Sequence, residues 1–328
     1  MNGRVVVTGA AGFIGSHLVR ALLEQGYDVV GVDSFTPYYA PEAKRANVAG
    51  LDGRSDFRLV QADLTTMRAD RLERLVRGAD AVIHEAGQPG VHLSWGRAFP
   101  TYLRHNVLAT QRLVEACTRA GVPRLVAASS SSVYGDAPSY PTTEAAATCP
   151  VSPYGVTKLA AEQLCLAYAR QPDAAISVVM LRYFTVYGPG QRPDMAFHRF
   201  IEAAVAGRPI TVYGDGEQRR DVTYVGDAVN ATVKAITAPA VDAVVNVGGG
   251  HPVTVNQALD LIGQLTGSPL VVDYAPVRAG DARHTGADGT RAEALLDWRP
   301  EVDLATGLAA QVASLTERVQ SGIPADID

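Results

Sequence analysis

The sequence predicts an α/β fold, with a doubly wound parallel sheet and a smaller, irregular C-terminal part, and three observations point to it. Short strands rich in valine, isoleucine and leucine recur through the first half of the chain. Helical segments separate most of these strands. After residue 187 the alternation breaks into shorter pieces with clusters of glycine and proline. Apolar strands with helices between them are typical of a parallel sheet covered on both sides.

Each element follows from its local sequence. RVVVTG at 4–9 is a short β-branched run, and the later strands have similar compositions. In chain order we predict strands at 4–9, 28–33, 57–64, 81–87, 124–130, 176–183 and 243–249, and helices at 13–24 and near 66–77, 100–120, 153–170 and 225–237. The last helix and strand return the chain to the sheet. We therefore predict one domain from 1–187 plus about 223–250, and a smaller one from about 188–222 plus 251–328.

Composition and charge argue against several classes of protein. The chain has 328 residues, 47% of them hydrophobic, which is enough for a large core. The net charge of −5 and the sequence pI of about 5.8 argue against a nucleic-acid or anionic-membrane surface. Cys117, Cys149 and Cys165 have no CxxC spacing and are too few for a disulfide framework. We find no leader peptide or membrane-length apolar run, so we expect a cytoplasmic protein, and we predict no metal site.

TGAAGFIGSHL, residues 8–18, joins the first strand to the first helix and carries Gly9, Gly12 and Gly15 at GxxGxxG spacing. Glycine lets the backbone turn tightly and approach a pyrophosphate, which then lies against the amides of the helix N-terminus. Asp33 ends the second strand, where a carboxylate accepts hydrogen bonds from the adenosine ribose. No arginine follows it closely to favour NADP. We predict a Rossmann-type NAD site, and the alternative is a purely structural glycine turn.

SPYGVTK, residues 152–158, places Tyr154 and Lys158 four residues apart on one helix, so their side chains share a face. A free tyrosine has a pKa of roughly 10. A nearby ammonium group and the positive ring of NAD⁺ stabilise the phenolate, which makes Tyr154 a candidate base for a sugar hydroxyl. The alternative interpretation is an ordinary amphipathic helix.

These motifs resemble those of the extended short-chain dehydrogenase/reductase family, in its nucleotide-sugar epimerase group, along essentially the whole chain. The resemblance is carried, in the expected order, by TGAAGFIGSHL, Asp33, SSSSVYGD, SPYGVTKLAAEQL, RYFTVYGPGQRPDM and RRDVTYVGDAV. It implies an NAD that is held tightly and recycled within each turnover. It also implies a UDP-sugar substrate, bound between the two domains.

The resemblance further implies roles for individual residues. Ser130 would hydrogen-bond the sugar O4 beside Tyr154, so the implied catalytic residues are Ser130, Tyr154 and Lys158. The implied cofactor contacts are Gly9, Gly12, Phe13, Ile14, Gly15, Asp33, Asp63, Leu64, Ala86, Tyr154 and Lys158. The implied substrate contacts are Ser131, Ser132, Thr185, Arg192, Tyr213, Arg220, Arg278 and Asp281. A helix N-cap explains Asp63 nearly as well.

ASSSSVYGD, residues 128–136, puts Ser131 and Ser132 directly after the implied catalytic hydroxyl. Such a run is usually a flexible loop. Related 4,6-dehydratases have Asp-Glu at these two positions, and UDP-glucuronate decarboxylases have Glu at the second. Hydroxyl groups instead donate hydrogen bonds to a carboxylate at C6 of the sugar. The serine run, with Thr185, is therefore interpreted as a carboxylate cradle.

Two further stretches, GQRPDMAFHR and PGVHLSWG, are similar to those of UDP-glucuronate 4-epimerases, and the first would bring Arg192 to the sugar. The chain departs from relatives at Glu85 and Gln88, where Leu and Ala or Ile are frequent. The predicted activity is 4-epimerisation of UDP-glucuronate to UDP-galacturonate through a 4-keto intermediate, without decarboxylation. Open alternatives are a UDP-glucose-type 4-epimerase, a decarboxylase or 4,6-dehydratase, and a non-catalytic NAD-binding regulator.

We predict a homodimer through the helices near 101–120 and 153–170. These helices carry apolar residues on more than one face, among them Leu103, Leu108 and Leu113.

Overall fold

The computed structural model describes residues 2–239, 242–277, 280 and 282–320. Its strands are β1 Arg4–Thr8, β2 Asp28–Asp33, β3 Phe57–Gln61, β4 Ala81–His84, β5 Arg124–Ser130, β6 Ser177–Tyr183, β7 Thr185–Tyr187, β8 Ile210–Tyr213, β9 Arg219–Arg220, β10 Val222–Tyr224, β11 Ala243–Val247, β12 Val253–Thr254 and β13 Val272–Ala275. Its α-helices are α1 Phe13–Glu24, α2 Pro41–Val48, α3 Ala69–Val76, α4 Phe99–Tyr102, α5 Ala109–Ala120, α6 Pro153–Ala169, α7 Ala196–Val205, α8 Val225–Thr237, α9 Val255–Thr266, α10 Thr290–Leu296 and α11 Leu304–Gln320.

Seven of the strands form one parallel sheet in the order β3-β2-β1-β4-β5-β6-β11. The order reverses between β1 and β4, and the crevice at such a switch point is where doubly wound folds bind their ligands. Helices α1 and α8 cover one face, where Val7, Leu18 and Val245 lie in the core. Helices α3, α5 and α6 cover the other face. The predicted doubly wound parallel sheet is confirmed.

Several predicted boundaries are wrong by a few residues. The strand predicted at 57–64 ends at Gln61, because the Asp63 carboxylate accepts the Thr65 amide at 2.8 Å and turns the chain. The strand predicted at 81–87 ends at His84. Helix α2 was not predicted. The helix predicted near 100–120 is interrupted by a π-helical turn at Leu103–Leu108, between α4 and α5.

A second hydrophobic core lies in the part of the chain that follows β6. Helices α7, α9 and α11 pack on one another around Ile201, Ile262 and Leu308, which are all fully buried. The short strands pair here as β7 with β10, β8 with β13 and β9 with β12. Because this part of the chain forms small two-stranded sheets, the regular alternation of strands and helices ends near residue 187.

Candidate active site

The turn between β1 and α1 has the shape that a pyrophosphate needs. Gly9 has a φ of +70°, and a Cβ on it would lie 2.7 Å from the Ala86 amide nitrogen. A Cβ on Gly15 would lie 2.0 Å from the Gly9 carbonyl oxygen, so no larger residue fits. Gly12 begins the helix without a side-chain cap, and the first amides of α1 have no acceptor within the helix. The turn therefore offers unblocked amide donors to an anion, as a dinucleotide cofactor requires.

Asp33 lies at the end of β2 and lines the cavity of the glycine turn. It is 8% exposed, and its two carboxylate oxygens accept the amides of Ala11 at 3.0 Å and Phe35 at 2.8 Å. Lys44 of α2 lines the same cavity and donates to the Thr36 carbonyl at 2.8 Å. Burial lowers the pKa of Lys44, while the charge of Asp33 opposes this. Sequence reasoning missed Lys44, although the scarcity of lysine in the chain was an available signal.

Tyr154 and Lys158 lie in the first two turns of α6, which Ser152 caps by accepting the Gly155 amide at 3.1 Å. The Lys158 ammonium donates to the Ala128 carbonyl at 2.5 Å, which ties the helix to the C-terminal part of strand β5. The Tyr154 ring meets the edge of Tyr102, with ring centroids 6.3 Å apart. Both Tyr154 and Lys158 line a cavity of about 790 Å³, a size typical of small-molecule sites.

The serine run is an ordered part of this cavity. Ser130 ends β5, and its hydroxyl oxygen accepts the Ser132 amide at 3.1 Å, which starts a short 3₁₀ turn. Ser131, Ser132 and Thr185 line the cavity with Ser130. Among the described residues, none bonds the hydroxyl groups of Ser131, Ser132 or Thr185, which leaves these groups available to a ligand.

A buried ion pair supports the serine run from behind. Ser129 donates to the Glu162 carboxylate at 2.7 Å, and Arg182 holds the same carboxylate through two hydrogen bonds of 2.6 and 2.9 Å. The side chains of Glu162 and Arg182 are 0% and 5% exposed. The Arg182 guanidinium also lies 4.7 Å from the centroid of the Tyr134 ring. The ion pair fixes β5 against β6 and α6 at the point where Ser130 enters the cavity.

Arg192 lies in the cleft, but its charge already has a partner. Its guanidinium bonds both oxygens of Asp194, at 2.9 and 3.0 Å. Asp194 also accepts the Tyr38 hydroxyl at 3.1 Å across the cleft. The predicted contact of Arg192 with the sugar stays a prediction, and it requires Arg192 to exchange or share this partner.

Three adjoining cavities run along the cleft. One of about 160 Å³ contains the glycine turn and Asp33, and it shares Phe13, Ile14 and Glu85 with the 790 Å³ cavity. At the other end, a cavity of about 260 Å³ adjoins the central one. Tyr213 and Arg220 line this third cavity, and their contact with the nucleotide stays a prediction.

Not every predicted contact is found in the cleft. Ala86 lines the cavity of the glycine turn. Leu64 is 5% exposed within the core on one face of the sheet, and Asp63 caps a turn. Neither residue lines any of the three cavities described above. Arg278 and Asp281 lie outside the described residues. The cofactor and substrate roles of these residues stay predictions.

Asn106 is a further polar residue of the site that sequence reasoning missed. It lies in the π-helical turn and is 2% exposed. Its side chain accepts the Gln88 amide at 2.6 Å and donates to the Gln88 carbonyl at 3.0 Å and to the Thr157 hydroxyl at 3.0 Å. Asn106 therefore fixes the loop after β4 to helix α6. π-Helical turns occur frequently at functional sites.

Two ionisable side chains at the end of β4 have strongly shifted pKa values. Burial lowers the pKa of His84 to about 3, so its neutral ring links the hydroxyls of Thr8 and Thr110. Burial raises the pKa of Glu85 to about 7, although the Tyr183 hydroxyl and the charge of Lys158 both lower it. Glu85 was noted in the sequence only as a departure from relatives.

A Tyr–Lys pair that faces the same cleft as a dinucleotide-binding turn defines an enzyme of the short-chain dehydrogenase/reductase class. Within that class the chain belongs to the NAD dependent epimerase/dehydratase family, whose model matches residues 5–248. NAD is therefore its cofactor.

Known proteins resemble the chain along nearly its whole length. An uncharacterized UDP-glucose epimerase of Bacillus subtilis (strain 168) is 40% identical over 322 residues, covering 97% of this chain and 99% of that protein. The structure of a UDP-glucuronic acid 4-epimerase from Bacillus cereus, in complex with UDP-glucuronic acid and NAD, matches with a TM-score of 0.91 and 38% identity, covering 96% of this chain and 99% of that one. MoeE5, solved with NAD and either UDP-glucuronic acid or UDP-glucose, matches with a TM-score of 0.87 and 45% identity, covering 97% and 100%.

The part of the chain that the structure describes contains neither a membrane-spanning helix nor a cluster of metal-ligating side chains. No helix there combines the length and apolar character needed to cross a membrane. No group of three or more histidine, cysteine or acidic side chains there is arranged to hold a metal ion.

Proposed function

We propose that this enzyme is a 4-epimerase of UDP-glucuronate, which it interconverts with UDP-galacturonate. The observation that carries the proposal is the set of three cavity hydroxyls on Ser131, Ser132 and Thr185, which the described residues leave without hydrogen-bond partners. A sugar carboxylate accepts hydrogen bonds and offers none when ionised, so donors are what it needs. The UDP-glucuronic acid 4-epimerase of Bacillus cereus and MoeE5 bind this sugar nucleotide, which supports the assignment.

In the proposed reaction, Tyr154 accepts the proton of the sugar O4, and Ser130 hydrogen-bonds the same oxygen. Bound NAD would supply the hydride acceptor for C4 and the hydride donor for the 4-keto sugar. Lys158 stabilises the phenolate form of Tyr154 electrostatically, because an opposite charge nearby favours ionisation. Once the keto sugar has turned over in the cavity and presents its other face to the cofactor, Tyr154 would return the proton to O4.

The carboxylate cradle has a second role in this proposal. The 4-keto intermediate is a β-keto acid, which loses CO₂ when the breaking bond aligns with the ketone. Hydrogen bonds from Ser131, Ser132 and Thr185 hold the carboxylate away from that alignment. No acidic side chain occupies positions 131 and 132, where a carboxylate would repel the substrate.

Epimerisation of UDP-glucose is the second candidate. Both the Bacillus subtilis relative, named an uncharacterized UDP-glucose epimerase, and the MoeE5 complex with UDP-glucose favour it. The Arg192–Asp194 pair also favours it, because it leaves no free positive charge on Arg192 for an acidic sugar. The two candidates share every step except recognition at C6.

Purified enzyme incubated separately with UDP-glucuronate and UDP-glucose, with the product sugars analysed, tests the proposal. We expect UDP-galacturonate from the first substrate at a kcat/KM at least tenfold above that for the second. A preference for UDP-glucose would refute the assignment and leave the neutral-sugar epimerase.

Variants of the cradle sharpen the test. Removing one donor, in Ser132→Ala or Thr185→Val, costs about 1–3 kcal/mol of transition-state stabilisation with the acid sugar. These variants should release some CO₂ and a UDP-4-keto-pentose, with reduced cofactor left on the enzyme. UDP-glucose turnover is the matched control, and it should fall less. A parallel loss with both sugars and no CO₂ would mean that the hydroxyls only pack the loop.

We also propose that residues 1–187 with about 223–250 form the NAD-binding domain, and that the remainder binds the nucleotide sugar. We further propose a homodimer through α5 and α6 with the turn that precedes α5. Leu103, Leu108 and Val156 in this region are 43%, 45% and 48% exposed, and a second copy of the chain would cover them in the proposed dimer. Leu113, which was expected on the same surface, is fully buried in the core instead.

A further inference from the structure

Glu85 lies where two cavities of the cleft meet. It lines both the 790 Å³ cavity of Tyr154 and Lys158 and the 160 Å³ cavity of the glycine turn and Asp33. The pyrophosphate of NAD belongs at the glycine turn, and its reactive ring must reach the sugar beside Tyr154. The ring therefore has to pass into the space that the two cavities share, which Glu85 borders.

Among the residues that the structure describes, two charged ones line both cavities, Glu85 and Arg192. The charge of Arg192 is balanced by Asp194. Glu85 has no arginine or lysine bonded to it among the described residues, and Lys158 acts on it only at a distance. The carboxylate is thus the unbalanced charge in the shared space.

A chain of hydroxyl groups holds the Glu85 carboxyl. The Tyr183 hydroxyl bonds Glu85 at 2.9 Å and Thr232 at 2.6 Å, and the Thr232 hydroxyl lies 2.7 Å from the Ala228 carbonyl. Each hydroxyl has one proton to donate. When Glu85 is ionised, Tyr183 donates to it and Thr232 donates to Tyr183. When Glu85 is protonated, it donates to Tyr183, Tyr183 donates to Thr232, and Thr232 donates to the Ala228 carbonyl. The chain accommodates both charge states of Glu85.

We propose that Glu85 sets the redox balance of the bound cofactor, its carboxylate favouring the oxidised, cationic nicotinamide over the neutral reduced form. A negative charge stabilises a nearby cation, and it does so more strongly in a water-poor cleft than in solvent. The consequence for the reaction is a bias towards returning the hydride to the keto sugar. Burial raises the pKa of Glu85 to about 7, so the carboxyl group is about half ionised at neutral pH and becomes mostly ionised at mildly alkaline pH.

The test is a redox titration of the bound nucleotide, at mildly alkaline pH and without any nucleotide sugar. Protein that carries NAD is equilibrated with a two-electron reference couple, and the reduced fraction is read from nicotinamide absorbance. We expect Glu85→Gln to raise the bound NADH/NAD⁺ ratio at least tenfold, which equals about 30 mV for a two-electron couple. Glu85→Leu should shift the ratio in the same direction. Because no sugar is present, a wrong substrate assignment does not alter this result.

Two comparisons separate this role from a structural one. Glu293→Gln removes a carboxylate from an exposed pair with Arg299 and should leave the ratio unchanged. Tyr183→Phe removes the donor to the ionised carboxylate, so it should shift the ratio as Glu85→Gln does, and the double variant should shift it no further. An unchanged ratio in both folded, nucleotide-loaded Glu85 variants, or a shift towards NAD⁺, would overturn the proposal.

Discussion

Replacing Glu162 by Gln tests how the fold supports the serine run. The variant removes one charge of the Glu162–Arg182 pair and leaves the other, on Arg182, buried at 5% exposure. Breaking a buried pair from one side costs about 3–5 kcal/mol of unfolding free energy, because the remaining charge is uncompensated. One nitrogen of the Arg182 guanidinium already lacks a partner, so little compensation is available.

Denaturant unfolding followed by circular dichroism measures this loss as a lower midpoint with an unchanged slope. The matched control is Glu115→Gln, which breaks an exposed pair with Arg119 one helical turn away and should cost at most about 0.5 kcal/mol. The double variant Glu162→Leu/Arg182→Met should recover most of the stability, since it leaves no unpaired charge. It should not recover activity, because Ser129 still lacks its acceptor. A loss below about 1 kcal/mol in Glu162→Gln would refute the reasoning.

Three other predictions follow from the site and the surface. Tyr154→Phe should abolish turnover, while its affinities for cofactor and UDP-sugar, measured by calorimetry, stay within a few-fold of those of the unmodified enzyme. Lys158→Met should weaken both turnover and cofactor binding. Equal losses of binding in the two variants would contradict these roles. Burial raises the pKa of Glu85 to about 7, so in cofactor-free protein near pH 7 the folded state holds a proton that the unfolded state has lost. As the pH rises from about 4.5 to 7, the unfolding free energy should therefore fall by about 2–3 kcal/mol more than that of the Glu85→Gln variant. Light scattering at micromolar concentration should give the mass of a dimer, and a monomer would contradict the proposed interface.

Local spacing made much of the site predictable. Tyr154 and Lys158 are one helical turn apart, and the three glycines lie within one strand–helix connection, so the sequence alone shows each arrangement. The strand at 28–33 and the helices at 13–24 and 225–237 were likewise predicted to the residue. The strand is a nearly continuous apolar run, and the two helices combine apolar residues for the core with interspersed polar ones, which agrees with their places in the fold.

Features that depend on distant contacts were not predictable. The Glu85 carboxyl meets Tyr183, which is 98 residues away in the chain. Helix α2 has little apolar patterning and is held instead by contacts such as that of Asn47 with the Ala11 carbonyl at 3.0 Å. The π-helical turn around Asn106 likewise depends on bonds to Gln88 and Thr157 rather than on local propensity.

The position of β11 at the sheet edge has a consequence for synthesis on the ribosome. β11 pairs with β6 along Ala243–Val247, yet the whole stretch 184–242 must be translated between the two strands. During that interval a nascent chain has every other strand of the sheet but presents β6 as an open apolar edge. Open edges recruit other chains, and intermediates that expose them aggregate. We therefore expect that chaperone binding to the nascent chain during this interval raises the yield of native protein.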